Sequence, residues 1–133
     1  MGIVRFDPIR GWTGTGRDAA RGTWVPPVDI YETADKTLVL KAELPEMKRE
    51  DIAVTVERGT LTISGDRAWP ADVAREGVQR VERPYGRFTR RFALPGSVDT
   101  AQVAADYRDG VLTVRLPARE AARPRTIPVA VAS

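Results

Sequence analysis

Residues 105–117 read Ala-Asp-Tyr-Arg-Asp-Gly-Val-Leu-Thr-Val-Arg-Leu-Pro. Asp109-Gly110 stands between two short runs, Gln102 to Tyr107 and Val111 to Leu116, and an Asp-Gly pair suits the positive φ angles of a two-residue hairpin turn. The stretch predicts two antiparallel strands joined tightly and closed at Pro117. A hairpin in this position points to an antiparallel, all-β fold rather than to strands separated by helices.

The same grammar extends upstream. Leu38, Leu40 and Ala42 alternate with Val39, Lys41 and Glu43, which places the second set outward, and Leu44-Pro45 ends the run. Ile52, Val54 and Val56 alternate with Ala53, Thr55 and Glu57; Arg58-Gly59 supplies a turn; Leu61 and Ile63 alternate with Thr60, Thr62 and Ser64 until Gly65-Asp66 closes that strand. Further runs occur at Val28 and at Phe88 to Phe92, giving seven or eight strands between Val28 and Pro117. Met47 to Asp51 allows one helical turn. The expected fold is an immunoglobulin-like antiparallel β-sandwich. The stretch 67–77 is longer than a sandwich connection needs, and long ordered loops tend to be functional.

The 133 residues suit one such domain with an arm on each side: 1–24, the sandwich 25–117 and a tail 118–133. The first arm mixes Gly, Thr, Arg and Ala with a few large apolar residues, and Gly11 to Gly16 has no helical or strand period. Pro26-Pro27 forms a stiff boundary. The tail is polar and small from Ala118 to Arg125 and then turns apolar at Thr126-Ile127-Pro128-Val129-Ala130-Val131. Net charge is +3, and it divides as +2 in each arm against −1 in the domain. A phosphate-binding fold would concentrate positive charge on its folded face, so no nucleic acid is expected as partner.

The quoted stretch resembles the signature A-x-x-x-n-G-V-L of the small heat-shock protein (alpha-crystallin domain) family, especially its bacterial and plant cytosolic branch. Three further segments agree in order: Pro27 to Glu32; Glu43-Leu44-Pro45 with Glu50-Asp51-Ile52; and Val81 to Phe88 with Phe92-Ala93-Leu94-Pro95. Ile127-Pro128-Val129 is similar to the family's tail anchor. Proline pre-sets an extended backbone there, so the flanking side chains point to one side. The overlapping pair Val129 and Val131 offers a second register.

The resemblance implies an ATP-independent holdase that binds unfolding clients and assembles with itself, first as dimers and then as larger oligomers. It places the tail anchor of one subunit in a neighbour's groove, between the strand carrying Val54 and Val56 and the strand carrying Val103 and Ala105. It implies a dimer formed by exchange of the strand near Val78 to Glu82, including Val81, onto the partner's edge at Val28 to Tyr31, including Ile30. Arg90 matches the family's dimer-interface arginine, with Asp66 or Glu82 as the acid. Phe6, Ile9, Trp12 and Trp24 are the expected client contacts. The loop 67–77 departs from the family pattern in carrying Trp69-Pro70 and fewer Lys and Glu.

Zero cysteines and zero histidines remove thiol nucleophiles, imidazole bases and nearly all zinc chemistry. The acid pairs Glu50-Asp51 and Glu82 with Asp66 stand without a nucleophile motif, a phosphate-cradling loop or metal-ligand spacing, so no enzyme activity, cofactor or small-molecule substrate is expected. No run nears the ~18 apolar residues of a membrane span, and Met1 to Trp12 lacks the pattern of a signal peptide, so the expected location is the cytoplasm. The competing reading on the same fold is a co-chaperone adaptor that does not sequester clients; it has no need of the tail anchor.

Overall fold

The strands form because β-branched and aliphatic residues alternate with polar ones, and they are stitched by two tight turns. In the computed structural model, which describes residues 21–22, 24–122 and 124–131, eight strands run β1 Arg21–Gly22, β2 Val28–Glu32, β3 Leu38–Glu43, β4 Ile52–Glu57, β5 Thr60–Arg67, β6 Gly86–Ala93, β7 Ala104–Arg108 and β8 Val111–Leu116. Arg58 and Gly59 (φ 52° and 73°) and Asp109 and Gly110 (φ 53° and 76°) all take positive φ, the geometry of the favoured two-residue hairpin turns. The turns expected at both sites are there.

Two antiparallel four-stranded sheets result, with strand orders β1-β6-β5-β4 and β2-β3-β8-β7. Leu38, Leu40, Ala42, Leu112, Val114 and Leu116 from one sheet meet Leu61, Ile63, Phe88 and Phe92 from the other, and all are buried. The expected antiparallel sandwich is the architecture. A single short 3₁₀ turn, Arg49–Asp51, occupies the place where a helical turn was expected.

Four expectations change. Val39 was placed outward with Lys41 and Glu43, yet it is fully buried. It stands on the interior strand β3 between Tyr31 and Arg115, where a neighbour strand flanks it on each side. Gly65 does not close β5, which continues to Arg67 and brings Arg67 to rest opposite Gly86. The sheet also begins before residue 25: Arg21–Gly22 pairs with Thr89 and Phe88, and Trp24 belongs to the core at 8% exposure. The domain likewise runs past Pro117. Ala118 pairs with Val98, both buried; the Arg119 N–H donates to Ser97 O at 2.7 Å; and a 3₁₀ turn follows at Glu120–Ala122.

Candidate functional site: an open sandwich edge and a braced loop

Among the described residues, strands β4 and β7 are each the last strand of their sheet, so each has one side unpaired there. Val54 lies across from Ile63 and Val56 across from Leu61, which fixes their side chains on the core face. Ala105 lies across from Val114 and Tyr107 across from Leu112, fixing these inward too. Among the described residues no further strand closes this flank, and Ile52, Val54, Val56 and Val103 are only half-buried although they pack on the core. Between the two edges is a cleft of about 200 Å³ whose lining includes Ile52, Val54, Ala105, Tyr107 and Leu112. The structure thus brings Val54 and Ala105 to one cleft; Val56 and Val103 stand on the same two inward faces. Ile127, Val129 and Val131 are 71%, 90% and 93% exposed, so the apolar tail is seated on nothing among the described residues.

The opposite flank is the edge of β2. Val28 and Ile30 pack on the core, while Tyr31 is exposed. Val78 to Glu82 has no strand partner among the described residues, and Val81 is half exposed. This segment lies in the connection 68–85, which is held by a ladder of rings and cations. Trp69 meets Tyr85 edge-on at 5.0 Å, the Arg75 guanidinium lies 4.1 Å over Trp69, and the Trp69 Nε1–H donates to Val73 O at 2.9 Å. A hollow of about 370 Å³ lies among Trp69, Val73, Val78, Val81 and Tyr85.

Arg90 lies across from Ile63 and shares the inward face with Phe88 and Phe92, so it is not part of the solvated face of Arg87 and Arg91. Its guanidinium reaches Pro26 O at 2.7 Å and covers the Phe92 ring at 5.2 Å. Neither acid proposed for Arg90 faces it in the chain by register or bond: Asp66 is opposite Arg87 on the outward face, and Glu82 pairs with Arg80 at 3.3 Å. Trp24, grouped with the client contacts, is a core residue instead. Its ring meets Phe88 edge-on at 5.1 Å and its Nε1–H donates to Gly86 O at 2.8 Å. The surrounding Gly and Thr hid it, because nothing local signals a strand. Phe6, Ile9 and Trp12 lie outside the described residues.

Arg67 is the residue that sequence reasoning missed. It is 5% exposed and stretches from β5 into both connectors: Nε (2.9 Å) and Nη2 donate to Pro84 O, and Nη1 donates to Pro45 O at 3.2 Å. Trp24 and Tyr85 lie against its plane at 4.5 and 5.3 Å. Burial, and then the nearby Arg83 charge, push its guanidinium below the ordinary value. An arginine remains charged through the physiological range even so. The signal was present in the sequence: Leu61, Ile63, Gly65 and Arg67 continue one period-two row.

Among the described residues no cluster of three or more acids could hold a metal ion, and no helix is long and apolar enough to cross a membrane. What this arrangement offers is apolar edge, open groove and exposed tail, which is chemistry for binding polypeptide. A sequence model of the Hsp20/alpha crystallin family matches residues 29–130. The chain is 36% identical over 132 residues to an 18 kDa heat shock protein of Streptomyces albus G, covering 96% of this chain and 92% of that one. It is 45% identical over 116 residues to a 19.0 kDa class II heat shock protein of Oryza sativa, covering 80% and 66%. Among solved structures, a small heat-shock protein from Xylella fastidiosa, described as having a distinct high order structure, superposes with a TM-score of 0.70 at 42% identity, covering 82% of this chain and 99% of that one.

Proposed function

Because the chain belongs to the Hsp20/alpha-crystallin family of small heat-shock proteins, whose role is that of chaperones, we propose that it is a cytoplasmic, ATP-independent holdase built from strand-exchanged dimers linked by their tails. The observation that carries this reading is the pairing of an open apolar cleft between β4 and β7 with an exposed Ile127-Pro128-Val129 segment in the same chain. Each is the kind of surface the other would cover.

The dimer follows from the opposite flank. The outer edge of β2 and the Val78 to Glu82 segment, neither of which pairs further with a strand among the described residues, would satisfy each other's backbone groups across two chains. Arg90, bonded to Pro26 O just ahead of β2, would meet a carboxylate of the partner there.

Tail links are weak singly. Burying Ile127 and Val129 contributes about 1.5–3 kcal/mol apiece before ordering costs, so a link opens readily while many together hold an oligomer. The pinned exit also shortens the tether. Measured from Leu116 the extended chain would span roughly 36–40 Å to Ile127, but from the end of the Glu120–Ala122 turn it spans only about 16–18 Å. Linked dimers must therefore pack with the tail exit of one close to the cleft of the next. Opened clefts, and the apolar residues Phe6, Ile9 and Trp12, then meet the exposed segments of unfolding clients.

The paired substitution Ile127→Ala with Val129→Ala tests the linkage. Light-scattering mass is expected to fall from an oligomer to a dimer, with the circular dichroism of the sandwich unchanged. An unaltered mass would defeat the tail anchor.

A further inference from the structure

Residues 44–47, the first half of the β3–β4 connector, touch both binding flanks within four consecutive residues. Toward the cleft, the Tyr107 hydroxyl donates to Leu44 O and accepts from the Met47 N–H at 3.2 Å, and the Leu44 N–H donates to Gly110 O at 2.8 Å. Toward the loop, Pro45 O accepts from Arg67 Nη1 at 3.2 Å, and the Glu46 carboxylate lies 2.7 Å from Arg83 Nη2. Arg67 in turn holds Pro84 O and stacks on Tyr85, where the exchange loop re-enters the sheet. Glu46 also takes a positive φ of 57°, a conformation that costs a non-glycine residue energy unless its surroundings hold it.

We propose that this connector couples the two flanks: a tail seated in the cleft tightens the dimer, with Tyr107 as the positioning residue that transmits it. The proposal rests on the tail-groove and strand-exchange readings above. Tyr107 lines the cleft, so an aliphatic side chain seated there packs on its ring. Its hydroxyl is bonded at both ends of the 44–47 stretch, so holding the ring holds Leu44 and Met47. Pro45 and Glu46 between them are then held against Arg67 and Arg83, and through these the loop exit at Pro84-Tyr85 keeps the geometry that exchange requires. The coupling is reciprocal by linkage, so dimerisation strengthens tail binding by the same factor. A stressed dimer that loosens would release tails, and released tails would loosen the dimer further, opening both surfaces together.

The test uses the full chain carrying Ile127→Ala, Val129→Ala and Val131→Ala, so that its own tail does not compete, with a synthetic peptide of residues Thr126 to Ser133 as probe. The dimer dissociation constant is measured by dilution with and without saturating peptide. The expected result is a drop of about five-fold or more on peptide addition. Adding Tyr107→Phe, which keeps the ring and removes the hydroxyl, is expected to weaken peptide binding and, with peptide raised until the variant is saturated, to reduce that shift below about two-fold. Peptide binding with an unchanged dissociation constant overturns the coupling and leaves the tail groove standing; so does a shift that survives Tyr107→Phe, as far as the role of Tyr107 goes. Absence of peptide binding overturns the groove reading and the coupling with it.

Discussion

Gly65→Ala is expected to be among the most damaging single-methyl additions the domain can receive. Gly65 lies in the middle of β5, across from Ile52 on one side and Phe88 on the other. An added Cβ would stand 2.6 Å from Asp51 O and 2.8 Å from the Phe88 ring, inside the contact limit of both. Neither neighbour can yield cheaply: one is backbone at the entry to β4, and the other is a ring 1% exposed in the core. Overpacking of this kind costs about 3 kcal/mol, a large fraction of the roughly 5–15 kcal/mol that holds a domain folded. The thermal midpoint should fall by roughly 15 °C. Gly96→Ala, where no atom lies within 4 Å, is the matched control and should leave the midpoint in place. Equal midpoints for the two variants would show that β4 and β6 are not closed around Gly65.

Arg67→Met is expected to cost about 3 kcal/mol as well, by a different route. Methionine fills much of the volume but leaves Pro45 O and Pro84 O without their donor and removes the charge stacked on Trp24 and Tyr85. A hydrogen bond to a charged group contributes about 1.5–3 kcal/mol, and the part-buried bonds to Pro45 O and Pro84 O are both lost. Arg67→Lys should rescue little, because one ammonium cannot reproduce a planar fork that bonds two carbonyls and stacks between rings. The expected readings are a lower urea midpoint for both variants and a changed tryptophan emission, since Trp24 packs on the guanidinium. A midpoint for Arg67→Met indistinguishable from that of the unaltered protein would remove Arg67 from its central place. It would also weaken the coupling proposed for the connector, which passes through the same side chain.

The sandwich was legible because its information is local. Arg58-Gly59 and Asp109-Gly110 name their own turns, and the rows Leu38-Leu40-Ala42 and Ile52-Val54-Val56 name their own faces. Residues whose placement depends on distant partners were not legible in the same way. Val39 is buried between its cross-strand neighbours Tyr31 and Arg115 while Lys41, on the same face of the same strand, is exposed, a difference that alternation does not encode. Trp24 is held by Phe88 and Gly86, more than sixty positions away, while its sequence neighbours resemble a linker. Arg67 was obscured by its charge and Gly65 by its reputation as a strand breaker, although both fall on the core row of β5. The cleft was half legible: Val54 and Ala105 came from family likeness, but the approach of β4 to β7 requires both sheets to be in place. Tyr107 bonded to Leu44 and Met47, and the Val98–Ala118 pairing that shortens the tail, are wholly tertiary.

The claim on which the rest depends is that this molecule holds unfolding proteins without spending nucleotide. It is tested most directly by heating an aggregation-prone enzyme with the purified chain, in the absence of ATP, and following light scattering. Suppression that rises with the ratio of chain to enzyme is the expected result. Scattering no lower than with the same concentration of an inert protein would contradict it.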